Sequence, residues 1–180
     1  MPHPTRADLD AARDRTVPDV IATGLAVLFC GINPSLYSAA TGHHFARPGN
    51  RFWPALHLSG FTPRRMTPAE QSELPAHGLG VTNLVARATA RADELSAAEL
   101  VTGGERLRAL VGEHRPRVVA VVGVTAYRVA FGIPDARVGA REEGIGEASV
   151  WVLPNPSGLN AHYQLPELAA EFRTLRMSLD

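Results

Sequence analysis

The chain has 180 residues, 45% of them hydrophobic, and its 18 basic and 18 acidic side chains cancel to a formal charge of zero. That length and composition suffice for one buried core, and the balanced charge argues against a domain that grips polyanions by bulk electrostatics. The single cysteine, Cys30, excludes an internal disulfide and a four-cysteine cluster, and no apolar run approaches the ~18 residues of a membrane span.

Residues 1–17 alternate in charge and carry early prolines, which predicts a flexible tail or one short helix ahead of a single domain over residues 18–180. Ala26–Ile32 is the first strand-like apolar run and contains Cys30, which reads as a buried small hydrophobe. Helical character follows over Arg51–Leu58 and Thr67–Glu73, then a second strand over Leu79–Leu84. Ser96-Ala97-Ala98-Glu99 is a capping-box pattern that opens a helix toward Val111. The third strand, Arg117–Gly123, holds the continuous apolar run Val118–Val122, which suits burial on both faces of a parallel sheet. A helix over Thr125–Phe131, a fourth strand over Ser149–Leu153 and a final helix over Leu165–Ser178 complete the order. Strands separated by helices predict an α/β protein: a three-layer α/β/α sandwich with a short, mainly parallel four-stranded sheet and its ligand beyond the strands' carboxyl ends.

Two of these strands run into the same tripeptide, Asn33-Pro34-Ser35 and Asn155-Pro156-Ser157. A residue before proline is held extended, so each asparagine leaves the sheet on a stiffened backbone, suited to aiming an amide at a ligand. Ordinary turn chemistry would use the same residues. All eighteen basic residues are arginine. Between Val20 and Ala69 four of them, Arg47, Arg51, Arg64 and Arg65, stand with three histidines and no acid. No cluster of His, Cys and carboxylates has metal-ligand spacing, so neither metal nor other cofactor is expected.

Gly31-Ile32-Asn33-Pro34-Ser35, with Gly42-His43-His44-Phe45 and Arg47-Pro48-Gly49-Asn50-Arg51-Phe52-Trp53, resembles the first motif region of the mismatch-specific uracil-DNA and thymine-DNA glycosylases. Asn155-Pro156-Ser157-Gly158-Leu159 resembles their second, and the similarity runs through Gly80–Val85 and covers roughly residues 17–177. The resemblance implies a monomeric, cytoplasmic enzyme that flips uracil from double-stranded DNA, preferentially from G·U mismatches, and hydrolyses its N-glycosidic bond. Under it, Asn33 holds the attacking water. An amide orients a water but is no strong base, so the rate must come from positioning and from stabilising the departing base. Phe45 stacks on the flipped ring, with Ile32, Ser35, Ser38 and Asn83 around it. Gly158, Leu159 and Asn160 form the loop that enters the duplex with Leu159 as wedge, and Asn155, Ser157, Arg47 and Arg51 face the DNA.

This chain departs from the pattern in places. Ser35 stands where the family generally has glycine, Ser38 where thymine-excising relatives have alanine, and Ala161-His162 where an arginine often follows the wedge. A hydroxyl at Ser38 should crowd a C5 methyl and favour uracil over thymine, whereas Gly42-His43-His44 resembles the thymine-excising branch. His43 and His44 are candidate DNA or pocket contacts, or simply surface histidines. Asp93, in the connection after the second strand, is a candidate to orient or deprotonate the water, or to favour the start of the next helix. Arg87 and Arg91 would pair with it or meet phosphates. The absence of lysine excludes a side-chain Schiff base and predicts a monofunctional enzyme. The alternatives are a glycosylase of this fold for thymine, etheno-cytosine or hypoxanthine, and a mismatch binder that does not cleave.

Overall fold

The computed structural model describes residues 2–180. Its strands are β1 (Val27–Gly31), β2 (Leu79–Asn83), β3 (Val118–Val122), β4 (Gly139–Ala140) and β5 (Ser149–Leu153); its helices are α1 (Arg6–Ala11), α2 (Leu36–Thr41), α3 (Phe52–Leu58), α4 (Ala97–His114), α5 (Val124–Phe131) and α6 (Leu165–Met177). The sheet order is β2-β1-β3-β5-β4, parallel except for β4, which runs against β5. The sheet therefore has five strands rather than the expected four. The extra strand is two residues long, too short to show as an apolar run, and one of the two is a glycine at φ 122.

Alternation along the strands sorts two cores onto opposite faces. Leu28, Cys30, Val119, Val121, Val150 and Val152 pack with Leu107 and Val111 of α4 and Tyr127 of α5. Val27, Phe29, Ala120, Val122 and Leu153 pack with Phe52 and Leu56 of α3 and Phe172 of α6. The unbroken apolar run of β3 thus serves both layers. Helix α4 starts as expected: Ser96 Oγ accepts the Glu99 amide at 3.1 Å and Glu99 accepts the Ser96 amide at 2.8 Å. Thr67–Glu73, expected as helix, begins with the N-cap Thr67 of a 3-10 segment, Pro68–His77, that has Pro75 inside it; proline has no N–H to continue an α-helix.

Residues 2–17 hold the short helix, opened by a Thr5–Asp8 capping box. The segment does not trail free, because Ala12 and Val17 are buried against Ala39 and Ala88. Helix α2 was not expected. Six residues are too few to show a period, but Ser35 caps its start by accepting the Ser38 amide and Gly42 ends it at φ 77.

Candidate active site

From β1 the chain crosses to β2 on one side, and β3 lies on the other, so a crevice opens beyond the carboxyl ends of the strands where the topology reverses. A cleft of about 940 Å³ occupies it, bordered by the segments that follow β1, β2, β3 and β5. Ile32, Asn33, Ser35, Ser38, Phe45, Asn83, Asp93, Asn155, Ser157, Leu159, Asn160 and Arg47 all reach it. Gly158 and Arg51 do not line it.

Asn33 leaves β1 with its side chain fully oriented. Its Nδ2 donates to the Arg87 carbonyl at 3.0 Å and to Thr89 Oγ1 at 2.8 Å, and Thr89 Oγ1 passes its own proton to the Arg91 carbonyl at 2.7 Å. Both amide hydrogens are therefore spent on the loop after β2, which leaves Oδ1 as the polar atom Asn33 offers the cleft. The two loops are zipped together by the Thr89 amide on the Pro34 carbonyl at 3.3 Å. An amide held this way accepts a hydrogen bond from a water in one direction.

Phe45 adopts φ 51, a left-handed conformation that costs a bulky residue of order 1–3 kcal/mol. Its ring lies 4.1 Å from that of Phe52, nearly parallel at 25°, so one face is backed by the core while the residue lines the cleft. Ser38, buried on α2, fixes the neighbouring backbone: its Oγ accepts the Ala46 amide at 3.1 Å and lies 3.1 Å from Ser35 Oγ. The His44 amide is taken by Gln71 at 2.7 Å. Among the described residues the Phe45 amide has no such partner, which leaves it free to meet an acceptor on a ring stacked at Phe45.

Gly31 shapes the floor. A Cβ there would come within 2.5 Å of Asn83 Oδ1 and 3.3 Å of the Phe45 ring, so glycine is what lets these two side chains sit together. Asn83 is 6% exposed, its Nδ2 is 3.4 Å from His44 Nδ1, and its carbonyl accepts from Arg106. His44 is 2% exposed, with Nε2 2.8 Å from the Pro18 carbonyl. Burial holds its imidazole below the ordinary pKa, outweighing the upward pulls of the Pro18 carbonyl and Asp19. The surface reading of His44 is therefore corrected: the residue belongs to the wall of the pocket.

Asp93 sits in a 3-10 turn, Ala92–Glu94, on the rim of the same cleft. Its side chain is 73% exposed and, among the described residues, paired only with Arg91, at 3.1 Å. It does not cap α4, whose cap is Ser96. Arg87 meets neither Asp93 nor solvent alone: it is bound to Glu99 at 2.6 Å and Asp14 at 3.1 Å.

Across the cleft, the second Asn-Pro-Ser loop is folded on itself. Asn155 Oδ1 accepts the Ser157 amide at 3.0 Å, Ser157 Oγ accepts the Leu159 amide at 3.2 Å, and Asn160 Nδ2 donates to the Asn155 carbonyl at 3.0 Å. These bonds leave Leu159 projecting at the tip, 73% exposed. Gly158 lies where a Cβ would approach the Gly49 carbonyl to 2.8 Å, so the loop leans on the Arg47–Asn50 turn. Arg51, expected to face DNA, instead points into this loop. Its guanidinium donates to the carbonyls of Pro156, Ser157, Asn160 and Tyr163. Arg47 remains exposed at the cleft edge.

Sequence reasoning missed Thr89, which holds Asn33, and the contact between His44 and Asn83. Thr89 has no motif to announce it, since its contact spans 56 residues. Among the described residues no group of three His, Cys, Asp or Glu is placed to hold a metal ion, and no helix is long and apolar enough to cross a membrane.

The cleft at the switch point of this mainly parallel α/β sheet thus brings together an amide held through both its hydrogens and an aromatic ring backed by the core. The fold is similar to the solution NMR structure of a Methanosarcina acetivorans protein provisionally described as a uracil DNA glycosylase, at 19% identity over 91% of this chain and 98% of that one, with a TM-score of 0.56. The model of the uracil DNA glycosylase superfamily matches residues 18–177, and the chain belongs to that superfamily. It is accordingly a DNA N-glycosylase, a hydrolase of N-glycosyl bonds.

Proposed function

We propose that this glycosylase is monofunctional and takes uracil from double-stranded DNA, preferentially from G·U mismatches. The observation that carries the reading is Asn33: with both amide hydrogens fixed on Arg87 and Thr89, Oδ1 is left to hold one water for attack on C1′ of the sugar. Water adds to C1′, the N-glycosidic bond breaks with its electron pair leaving on the base, and an intact abasic site remains. The flipped ring stacks on Phe45. The Phe45 amide donates to its polar edge and stabilises charge on the departing base, and Asn83 meets the same edge. Asp93, on the rim, accepts the water's proton or stabilises the cationic sugar.

Uracil is favoured because Ser38 is buried and committed to Ala46 and Ser35, leaving a polar, crowded wall where thymine would set its methyl. Leu159 enters the space left in the stack, and Arg47 meets the backbone beside it. The enzyme acts as a monomer. Incubation with labelled duplexes holding G·U, A·U, G·T, etheno-cytosine or hypoxanthine, and with single-stranded uracil, followed by alkali, tests this. Excision fastest at G·U supports it, and a faster rate at any other lesion reassigns the substrate.

A further inference from the structure

The wall behind Phe45 contains a residue whose hydrogen bonds decide what another presents to the base. The His44 ring spans two partners, the Pro18 carbonyl 2.8 Å from Nε2 and Asn83 Nδ2 3.4 Å from Nδ1. A carbonyl only accepts, so Nε2 carries the hydrogen. In the neutral ring Nδ1 is then a bare lone pair, which accepts an N–H of the Asn83 amide and repels its oxygen.

The main chain that carries the ring is held on both sides, and the ring itself is buried. The His44 amide is bound by Gln71 at 2.7 Å and its carbonyl accepts Trp53 Nε1 at 3.0 Å. The charged and titratable groups around it are Asp19, which pulls toward protonation, and His43, which pulls against it; burial dominates both. Asp19 is itself occupied by Thr82 Oγ1 at 2.8 Å and Arg106 at 3.8 Å. With Nδ2 turned to His44, Asn83 Oδ1 lies over Gly31 beside the Phe45 ring. No protein donor meets that oxygen among the described residues.

We propose that His44 is a positioning residue that locks the Asn83 amide with its oxygen facing the base pocket, so that the pocket selects rings carrying an N–H on their polar edge, as uracil does at N3, over cytosine, whose N3 is an acceptor. The base-selecting half rests on the glycosylase reading above; the lock itself does not. Protonation of His44 places a second donor against Asn83 Nδ2. The amide then turns over, offering N–H groups to a ring that already donates there, and uracil is lost from the pocket.

Two variants separate the lock from mere packing. His44→Asn sets a carbonyl oxygen where Nδ1 stands and cannot titrate. His44→Gln reaches the Pro18 carbonyl but leaves Asn83 without its acceptor. Single-turnover excision from a G·U duplex is measured from pH 4.5 to 8 on both and on wild type, with thermal melts confirming folding. Nitrogen-15 NMR of the histidine rings is recorded on the free protein. We expect the wild-type rate to fall on the acid side below pH 6.5, His44→Gln to lose about 10- to 100-fold at pH 7.5 as a buried polar pair is broken, and His44→Asn to recover at least tenfold of that and to lack the acid limb. A His44 ring that is protonated, or carries its hydrogen on Nδ1, at pH 7.5 overturns the lock whatever the activity. Folded His44→Gln with wild-type rate and pH profile overturns base selection. A wild type inactive on every duplex overturns the glycosylase reading and base selection with it, while the lock stands or falls on the NMR.

Discussion

Arg51 offers a sharp separation between an electrostatic and a structural role. Its guanidinium reaches four carbonyls of the loop that carries Leu159, those of Pro156, Ser157, Asn160 and Tyr163. A hydrogen bond to a charged group contributes about 1.5–3 kcal/mol. On a partly exposed loop water recovers much of this, so the set together holds the loop by about 2–4 kcal/mol. At about 1.4 kcal/mol per tenfold, Arg51→Gln should slow excision from duplex DNA by roughly 30- to 700-fold. Single-stranded uracil, which presents no stack for the wedge to fill, should lose far less. Arg51→Lys is the deciding control, because a point charge with three donors cannot span four carbonyls and should fail nearly as badly. A phosphate contact would behave differently: lysine would restore the rate, and loss of the charge would lower the salt dependence of binding by about one counterion. Single-turnover rates on both substrates across a salt series read all of this. Restoration by lysine, or equal losses on duplex and single strand, would refute the clamp.

The remaining expectations follow from other parts of the cleft. Leu159→Ala should slow duplex excision about 10- to 100-fold, the worth of one buried leucine, and spare single-stranded uracil; equal slowing would make Leu159 structural. Stability should fall in acid in two stages, read by thermal melts from pH 2 to 8. The fold holds His44 below its usual value, so its contribution is present above about pH 6.5 and lost as pH falls through the depressed folded value. Arg87 holds Glu99 at about 2, so that contribution is present above 4.5 and lost toward pH 2; His44→Asn should remove only the first stage. The purified protein should leave unbroken abasic strands until alkali is added, since the chain has no lysine; nicking without alkali would show a lyase. Asn33→Ala should remove most of the rate with DNA binding retained, and Asp93→Asn should cost about 10²–10⁴-fold, both read by single-turnover cleavage of G·U.

The sheet was legible because its signal is local: β3 is apolar throughout, β1 and β5 carry four apolar residues each and β2 alternates Leu79 and Val81 with smaller or polar residues, and the Ser96–Glu99 box names the start of α4. Strand β4 and helix α2 were not, being too short for a period to repeat. At the site, the residues on the two Asn-Pro-Ser segments were legible because proline and glycine mark where the chain leaves the sheet. Their partners were not. The Asn33–Thr89 bond joins positions 56 apart and the His44–Asn83 contact positions 39 apart, distances that only the β1–β2 pairing brings together. Arg51 was misplaced for a related reason: a run of cations without acids looks free to meet phosphate, and nothing local shows four carbonyls arriving from more than a hundred residues away.

In the proposed mechanism Asn33 and Asp93 would divide the work on water according to where each is held. Asn33 is fixed from both hydrogens to the loop behind it, so it supplies direction but has no charge and no useful basicity. Asp93 has the charge but stands 73% exposed, with Arg91 as its one partner among the described residues, where solvent screens a carboxylate and weakens its pull on a cationic sugar. A bound duplex changes the second condition and not the first. Covering the rim removes water from Asp93, which strengthens its field at the sugar, while phosphates compete for Arg91 and release the carboxylate from its pair. Under the proposed mechanism the charge of Asp93 would come to full strength only with DNA over the cleft, with Asn33 already aimed. The cost of Asp93→Asn should consequently appear in the single-turnover rate and leave duplex affinity nearly unchanged, whereas a carboxylate that served only to tether Arg91 would, on removal, alter affinity and its salt dependence first.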